Sequence, residues 1–581
     1  MPDVTDSLLR YDGNLVDDVR DRLAIDPDAV AFSRHTGSAD WQDVTIGEFD
    51  AQVRALAKGL VASGVQAGDR VALLSRTRYE WTLVDYAVWY AGAVTVPIYE
   101  TSSVDQIAWI LEDSGAVATV VETPEHAARV AQAGGTAPAM RQTWTIDADE
   151  LAVLATAGES VDDAVLEERY ATMDASTLAT IVYTSGTTGR PRGCMLTHGN
   201  FRAELGGALE TLPDLFDADG ASTLLFLPLA HVFARIIQVG TIRAGARLGH
   251  SPDIKDLVPR LGEFQPTFVL AVPRVFEKVF NSASQKAHAE GKGKIFDQAV
   301  ATAIEYSRAL DAGKPGLGLR LKHGLFDKLV YGKLRAALGG QAQYAISGGA
   351  ALGERLGHFF RGVGVTILEG YGLTETTAAL AVNPPHRERV GSVGLPISGA
   401  EVRIAADGEL QCRGPQVFQG YWRNEKATAA ALDADGWFGT GDLGEIDADG
   451  FIRITGRKKE IIVTAGGKNV APAVLEDRVR ANPYVSQCLA VGDGKPFIAA
   501  LVTIDAEAWT GPLDDPALLA EVQKAVDDAN TQVSKAESIR KFLILDEDWT
   551  EENGYLTPSF KVKRNRVLAD MAAEVESLYT R

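Results

Sequence analysis

Cysteine is nearly missing from this chain: Cys194, Cys412 and Cys488 are the only three in 581 residues. They lie too far apart for a metal knuckle or a disulfide framework, so a reducing, cytoplasmic compartment is the expectation. Long hydrophobic runs are missing too. None approaches the roughly 18 to 20 apolar residues that a membrane span needs, so any membrane association is expected to be peripheral, at the inner face. Basic charge is scarce: 57 lysines and arginines against 78 acids leave a formal charge of -21. That balance argues against an electrostatic grip on nucleic acid and against general attraction to an anionic membrane, while leaving a local basic site open. The acidic, polar opening "MPDVTDSLLRYDGNLVDDV" is unlike a signal peptide.

What the chain does have is length and alternation. It is long enough for several domain-sized units. Short β-branched or leucine-rich runs ("RVALLS", "AVTVPIY", "TLATIVYTS", "STLLFLPLA", "TFVLAVP", "GVTILEGYG") alternate with helical patterns such as "YEWTLVDYAVWYAG". Apolar strands separated by helices predict α/β architecture with sheets buried on both faces. After about Pro415 the pattern changes: "GWFGTGDLGEIDADGFIRITG" alternates around an Asp-Gly turn, as a half-exposed antiparallel hairpin does. The stretch from Lys459 to Arg581 mixes strands such as "FIAALVTI" with charged helices. The expectation is a large N-terminal domain, residues 1–458, of helix-flanked β-sheets plus a small β-barrel-like part, then a small mobile α+β domain, residues 459–581.

"DADG" occurs three times, at Asp217, Asp433 and Asp447. None continues with the ligand ladder and closing glutamate of a calcium loop, so acidic turns are the better reading. "YTSGTTGRPRG", Tyr183 to Gly193, is more informative. Glycines at successive sharp steps let backbone N–H groups converge, and hydroxyls beside them add donors, which makes a concave site for a polyphosphate. It lacks the Gly-Lys-Ser/Thr of a Walker loop and is not a dinucleotide fingerprint. Taken alone, a flexible surface loop remains the alternative.

The loop has company. "YTSGTTGRPRG", "LPLAHVFARI", "EGYGLTET", "WFGTGDLG", "GRKKEIIVTAGGKNVAP" and "LTPSFKVKRNRV" follow one another in this chain. Their order and approximate spacing resemble the core motifs of the adenylate-forming, or AMP-binding, superfamily, which includes acyl-CoA synthetases, luciferases and peptide-synthetase adenylation domains. The resemblance runs from Thr77 to Lys563. "RYEW", "VPIYETSS", "PTFVLAVPRVFEKVF" and "LTPSFKVKR" look most like bacterial long-chain fatty acid–CoA ligases.

That resemblance implies an ATP- and Mg2+-dependent ligase that makes acyl-AMP with release of pyrophosphate and then passes the acyl group to CoA. Thr184, Ser185, Gly186, Thr187, Thr188 and Gly189 would cradle the terminal phosphates, with Arg192 adding charge. Glu375, with the Thr184 hydroxyl, would hold Mg2+, a hard cation suited to oxygen ligands. Of the segment Glu369, Gly370, Tyr371, Gly372 and Thr374, Tyr371 would lie against adenine and Thr374 would touch the α-phosphate. Gly348, Gly349 and Ala350 would line the adenine side, although that glycine pair also reads as a plain turn. Asp442 and Arg457 would take the ribose, and His231 the substrate carboxylate, unless it is a packed core histidine.

Lys459 matches a hinge, Lys561 a lysine that enters the site for adenylation, and Gly466 and Gly467 a loop that lets pantetheine approach afterwards. Lys563 is close enough to Lys561 to be confused with it. Two departures limit the transfer: Arg192 stands where the loop usually has lysine, and Phe233 is the nearest candidate for an acyl-tunnel gate. The small-molecule substrates would be fatty acid, ATP and CoA. Delivery of acyl-AMP to a carrier protein and a catalytically silent nucleotide-binding protein are the alternatives. Neither acyl chain length nor oligomeric state is written in these motifs.

Overall fold

The computed structural model describes residues 11–37, 40–134, 137, 139–184, 190–216, 220–253, 256–557 and 560–580. Its central element is a seven-stranded sheet. Parallel strands Val94–Ile98, Arg70–Leu74, Ala118–Val121 and Gln142–Thr145 extend from β1 (Leu178–Thr184) on one side. On the other side β2 (Arg192–Thr197) and Gly420–Tyr421 add antiparallel strands. Helix α1 (Tyr79–Tyr90) is buried all round except at Glu80. Such a helix belongs between layers rather than on a surface. Behind the sheet α2 (His198–Thr211) starts at Thr197, whose hydroxyl accepts from the Asn200 N–H while the Asn200 side chain accepts from the Thr197 N–H. Asn200 also donates to the carbonyls of Pro415 and Val417, which ties the helix to a distant segment.

A five-stranded sheet holds β3 (Thr366–Leu373) and β4 (Ala378–Val382), with Phe268–Ala271 and Tyr344–Ser347 parallel on the β3 side. A mixed four-stranded sheet brings Val30–His35 and Trp41–Thr45 beside Arg247–His250 and Ser222–Leu225. The barrel-like part is a four-stranded antiparallel sheet that ends in β5 (Phe438–Ile446) and β6 (Ile452–Arg457). Along β5 buried and half-buried residues alternate, as its sequence pattern requires. Its turn is closed by Asp447, whose carboxylate accepts from the N–H groups of Asp449 and Phe451. Asp433 does the same for Asp435 and Trp437. Two "DADG" segments therefore spend their first carboxylate on their own backbone, and Asp217 lies outside the described residues.

From Ile462 onward two apolar clusters form, and neither shares a residue with the clusters before it. One packs Leu475, Val522 and Val526 against the strands Val485–Val491 and Ile498–Ile504; the other gathers Leu501, Trp549 and Val567. Contacts with the preceding part include Arg274 with Asp505 at 3.5 Å and Arg355 donating to the Ala481 carbonyl at 3.2 Å. Among the described residues no helix is long and apolar enough to cross a membrane.

Candidate active site

The site begins where β1 ends. Thr184 is its last residue and pairs across the ladder with Arg192, so the two ends of the glycine-rich loop are fixed side by side. Ser185, Gly186, Thr187, Thr188 and Gly189 lie outside the described residues. The Arg192 guanidinium sits 5.6 Å from the Tyr421 ring centroid. Tyr421 in turn donates its hydroxyl to Glu375 Oε1 at 2.8 Å. The Thr184 hydroxyl is 4.0 Å from the Cys194 sulfur. Burial, followed by the charge of Glu375, pushes the Cys194 thiol well up, so it stays neutral. Thr184, Arg192 and Glu375 are thus gathered around one locus. Tyr421 and Cys194 complete it, and nothing in "FQGYWRN" or "RGCML" signals that role.

Glu375 stands in a short turn between β3 and β4. Thr377 and Ala378, which follow it, have φ of 56° and 95°, in the left-handed region that non-glycine residues enter only when their surroundings hold them there. What holds them is local bonding: Thr376 bonds the carbonyls of Leu373 and Ala378, Thr377 that of Gln416, and the Phe418 N–H reaches the Glu375 carbonyl. Gly372 is required here. A Cβ on it would lie 1.5 Å from the Ala378 carbonyl oxygen, where an irregularity after Tyr371 draws the strands together.

The same strand supplies Tyr371, which donates to Asp442 Oδ2 at 2.5 Å. Arg457 approaches Oδ1 of the same carboxylate at 2.9 Å from the facing position on β6. Asp442 is 2% exposed, so its charge is compensated by direct bonds rather than by water. Glu369 is spent differently: its buried carboxylate accepts from the Leu352 N–H at 3.1 Å, and burial lifts it to about 7. It props the turn that carries Gly348, Gly349 and Ala350. Gly349 has φ 85°, and a Cβ at Gly348 would come 3.1 Å from the Phe233 ring. Gly370 pairs with Val382 across the β3–β4 ladder, and Thr374 opens the Glu375 turn.

His231 caps α3 (Val232–Ala244), its Nδ1 accepting from the Phe233 N–H at 3.1 Å. The neutral ring therefore keeps its proton on Nε2. Burial first, and then the Lys561 cation, hold its pKa down at about 4. The Lys561 pKa is itself lowered, by loss of hydration and then by the Arg457 cation, against the opposing pull of Asp442 and Glu460. One ammonium from the C-terminal part is thus within electrostatic reach of His231, Arg457 and Asp442. Lys563 has other electrostatic neighbours, Arg566 and Glu551.

Two family models match the chain. Residues 19–422 match the model described as AMP-binding enzyme, and residues 459–581 match the AMP-binding enzyme C-terminal domain. The chain is an AMP-binding enzyme.

Among the relatives of this AMP-binding enzyme is the long-chain-fatty-acid–CoA ligase FadD15 of Mycobacterium bovis, 53% identical over 96% of this chain and 95% of that one. Long chain acyl-CoA synthetase 7, a peroxisomal protein of Arabidopsis thaliana, is 30% identical over 94% of this chain and 82% of its own length. In fold the chain is similar to the A domain of a carboxylic acid reductase from Segniliparus rugosus, in complex with AMP and a co-purified carboxylic acid. The TM-score is 0.77 at 21% identity, covering 99% and 95% of the two chains. O-succinylbenzoate CoA synthetase from Bacillus subtilis, in complex with AMP, gives 0.70 at 21%, covering 96% and 98%.

Other residues singled out in the sequence stand apart from the site of this AMP-binding enzyme. Lys459 is exposed in a short turn, where its neighbour Lys458 is bound to Asp407 and Glu409. Gly466 and Gly467 lie in an exposed loop closed by Thr464 and Lys468, whose hydrogen bonds run to Thr464, Lys468 and Lys495 within the C-terminal part. Gly467 has φ 76° with open space around it.

Proposed function

We propose that the protein activates a long-chain fatty acid with ATP and transfers it to CoA. In the first step a carboxylate oxygen of the acid attacks the α-phosphorus, the bond to the bridging oxygen breaks, and pyrophosphate leaves with both electrons. In the second the CoA sulfur, having given up its proton, attacks the acyl carbon and AMP leaves. The observation that carries this reading is the convergence of Lys561, Arg457, Asp442 and His231, in a chain alike to a long-chain ligase over nearly its whole length.

Each group has a task suited to its surroundings. Asp442 and Arg457 offer a carboxylate and a guanidinium to the ribose hydroxyls, with Tyr371 holding the carboxylate in place. His231 stays neutral at physiological pH and presents Nε2–H, a donor that meets a carboxylate oxygen without quenching its nucleophilicity. Lys561 supplies a compact cation where charge builds on the α-phosphate and the bridging oxygen. Glu375 and Thr184 would hold Mg2+: the carboxylate keeps one oxygen beyond its bond to Tyr421, and a hydroxyl completes a donor set of the hard kind that ion prefers. When bound, Mg2+ neutralises phosphate charge. Lys459 divides the chain into a part that binds ATP and the acid and a C-terminal part that rotates between the two steps. Gly466 and Gly467 then come to the CoA side.

Purified protein with palmitate, ATP and Mg2+ is expected to release pyrophosphate and AMP and to form palmitoyl-CoA only when CoA is present. Absence of pyrophosphate with every fatty acid offered would overturn the enzymatic reading. Acyl-AMP that CoA cannot discharge would point to a carrier protein as acceptor.

A further inference from the structure

One helical run stands out from an otherwise acidic surface. Helix α4 (Leu317–Phe326) continues through a π-helical turn, Asp327–Tyr331, into Gly332–Ala337. Its inner face is firmly seated. Phe326, Tyr331 and Leu334 are buried, the Tyr331 hydroxyl donates to the Ala299 carbonyl at 2.7 Å, and the His323 ring stacks on Tyr306 at 3.9 Å. Arg335 pairs with Asp327 and donates to the Val363 carbonyl. The opposite face carries leucine at every fourth position. Leu317 and Leu321 are each 77% exposed, Leu325 56% and Leu329 52%. Single exposed leucines need no explanation, but four on one face of a helix do.

The charges beside that row are of one sign. Lys314, Arg320, Lys322, Lys328 and Lys333 are exposed, and none has an ion pair among the described residues. The only acid between 314 and 337 is Asp327, already paired with Arg335. A chain of net charge -21 has therefore collected a basic cluster around the most exposed leucines among the described residues. Apolar side chains along the middle and cations along the flanks are what a helix lying in the plane of an anionic lipid surface requires.

We infer that this helical face docks the protein on anionic lipid bilayers, with the leucines entering the acyl boundary and the lysines and Arg320 facing the headgroups. A second copy of the chain suits the face poorly, because two such faces would oppose their lysines. The inference stands on the surface alone and not on the reaction proposed above, so vesicle binding and ligase activity can fail separately.

Co-sedimentation of the full chain with extruded vesicles tests it. The protein should pellet with phosphatidylcholine vesicles containing phosphatidylglycerol, and far less with phosphatidylcholine alone or at high salt. Leu321→Ser/Leu325→Ser should cut the partition coefficient about tenfold or more with an unchanged melting temperature. Lys322→Glu/Lys328→Glu should weaken binding and remove its salt dependence. No binding to anionic vesicles, or equal binding by the leucine variant, would overturn the inference. So would a wild-type dimer in solution that the leucine variant dissolves, which would assign the face to a second copy.

Discussion

Two lysines only two residues apart, Lys561 and Lys563, divide cleanly by their neighbours. Lys561 is coupled to His231, Arg457 and Asp442, whereas Lys563 feels Arg566 and Glu551. A charge that acts on the α-phosphate matters where pyrophosphate leaves and not where a thiol attacks a carbonyl. Lys561→Ala is therefore expected to slow acyl-AMP formation by about a hundredfold or more, the scale of removing one directed transition-state contact. It should leave discharge of supplied acyl-AMP by CoA nearly intact, and Lys563→Ala should spare both steps. Pyrophosphate release and single-turnover thioester formation separate the cases, and equal loss of both steps in Lys561→Ala would refute the assignment. The motifs singled out Tyr371, Asp442 and Arg457 as candidate site residues, and the structure brings the three side chains together. The motifs did not reveal that Tyr371 and Arg457 occupy both oxygens of Asp442, because that depends on strands far apart in sequence meeting in one register. Tyr421 was missed for the same reason, since its tie to Glu375 is written in neither local pattern.

At the level of elements, the packing of α2 on β4 conceals a titration. Glu204 is 1% exposed, accepts from the Ala379 N–H at 3.3 Å through one oxygen, and has no hydrogen-bond partner on the other among the described residues. Burial lifts its carboxyl from the ordinary 4.5 to about 8. The folded chain thus binds this proton more tightly than the unfolded chain does. The stability it contributes is whole below about 4.5 and is lost as pH rises toward 8. Glu204→Gln keeps a neutral side chain throughout. Its melting temperature should run close to wild type near pH 4.5 and move progressively above it up to pH 8, at up to ~1.4 kcal/mol per pH unit. Parallel melting curves across that range would show that Glu204 is not held neutral by the fold. The strands flanking this contact were readable from alternation and β-branching. The burial of a helix bearing Asn200, Arg202 and Glu204 was not, since polar residues on a helix predict solvent. It takes Asp18 opposite Arg202 and the β4 backbone opposite Glu204 to cover them.

For the whole molecule, the proposed reaction assigns this conformation to one of its two half-reactions. Lys561 is within electrostatic reach of His231, Arg457 and Asp442, while the hydrogen bonds of the Gly466–Gly467 loop stay within the C-terminal part, so the groups proposed for CoA are not bonded to the residues around Asp442. Contacts between the two parts include the half-exposed pair Arg274–Asp505 and the single bond from Arg355 to Ala481, which are weak enough to break and re-form. A rotation must be absorbed somewhere, and the exposed turn at Lys459 between β6 and the C-terminal clusters is where few packed side chains would resist it. Proline fixes φ near the value of a tight helical turn and removes the freedom to leave it. Lys459→Pro is therefore expected to preserve pyrophosphate release while lowering acyl transfer to CoA by about tenfold or more, as loss of a gating motion does. The measurement is the ratio of the two half-reaction rates on one preparation. If Lys459→Pro discharges supplied acyl-AMP to CoA as fast as wild type, rotation about this residue is not needed, and the loop at Gly466 has no part in receiving the thiol.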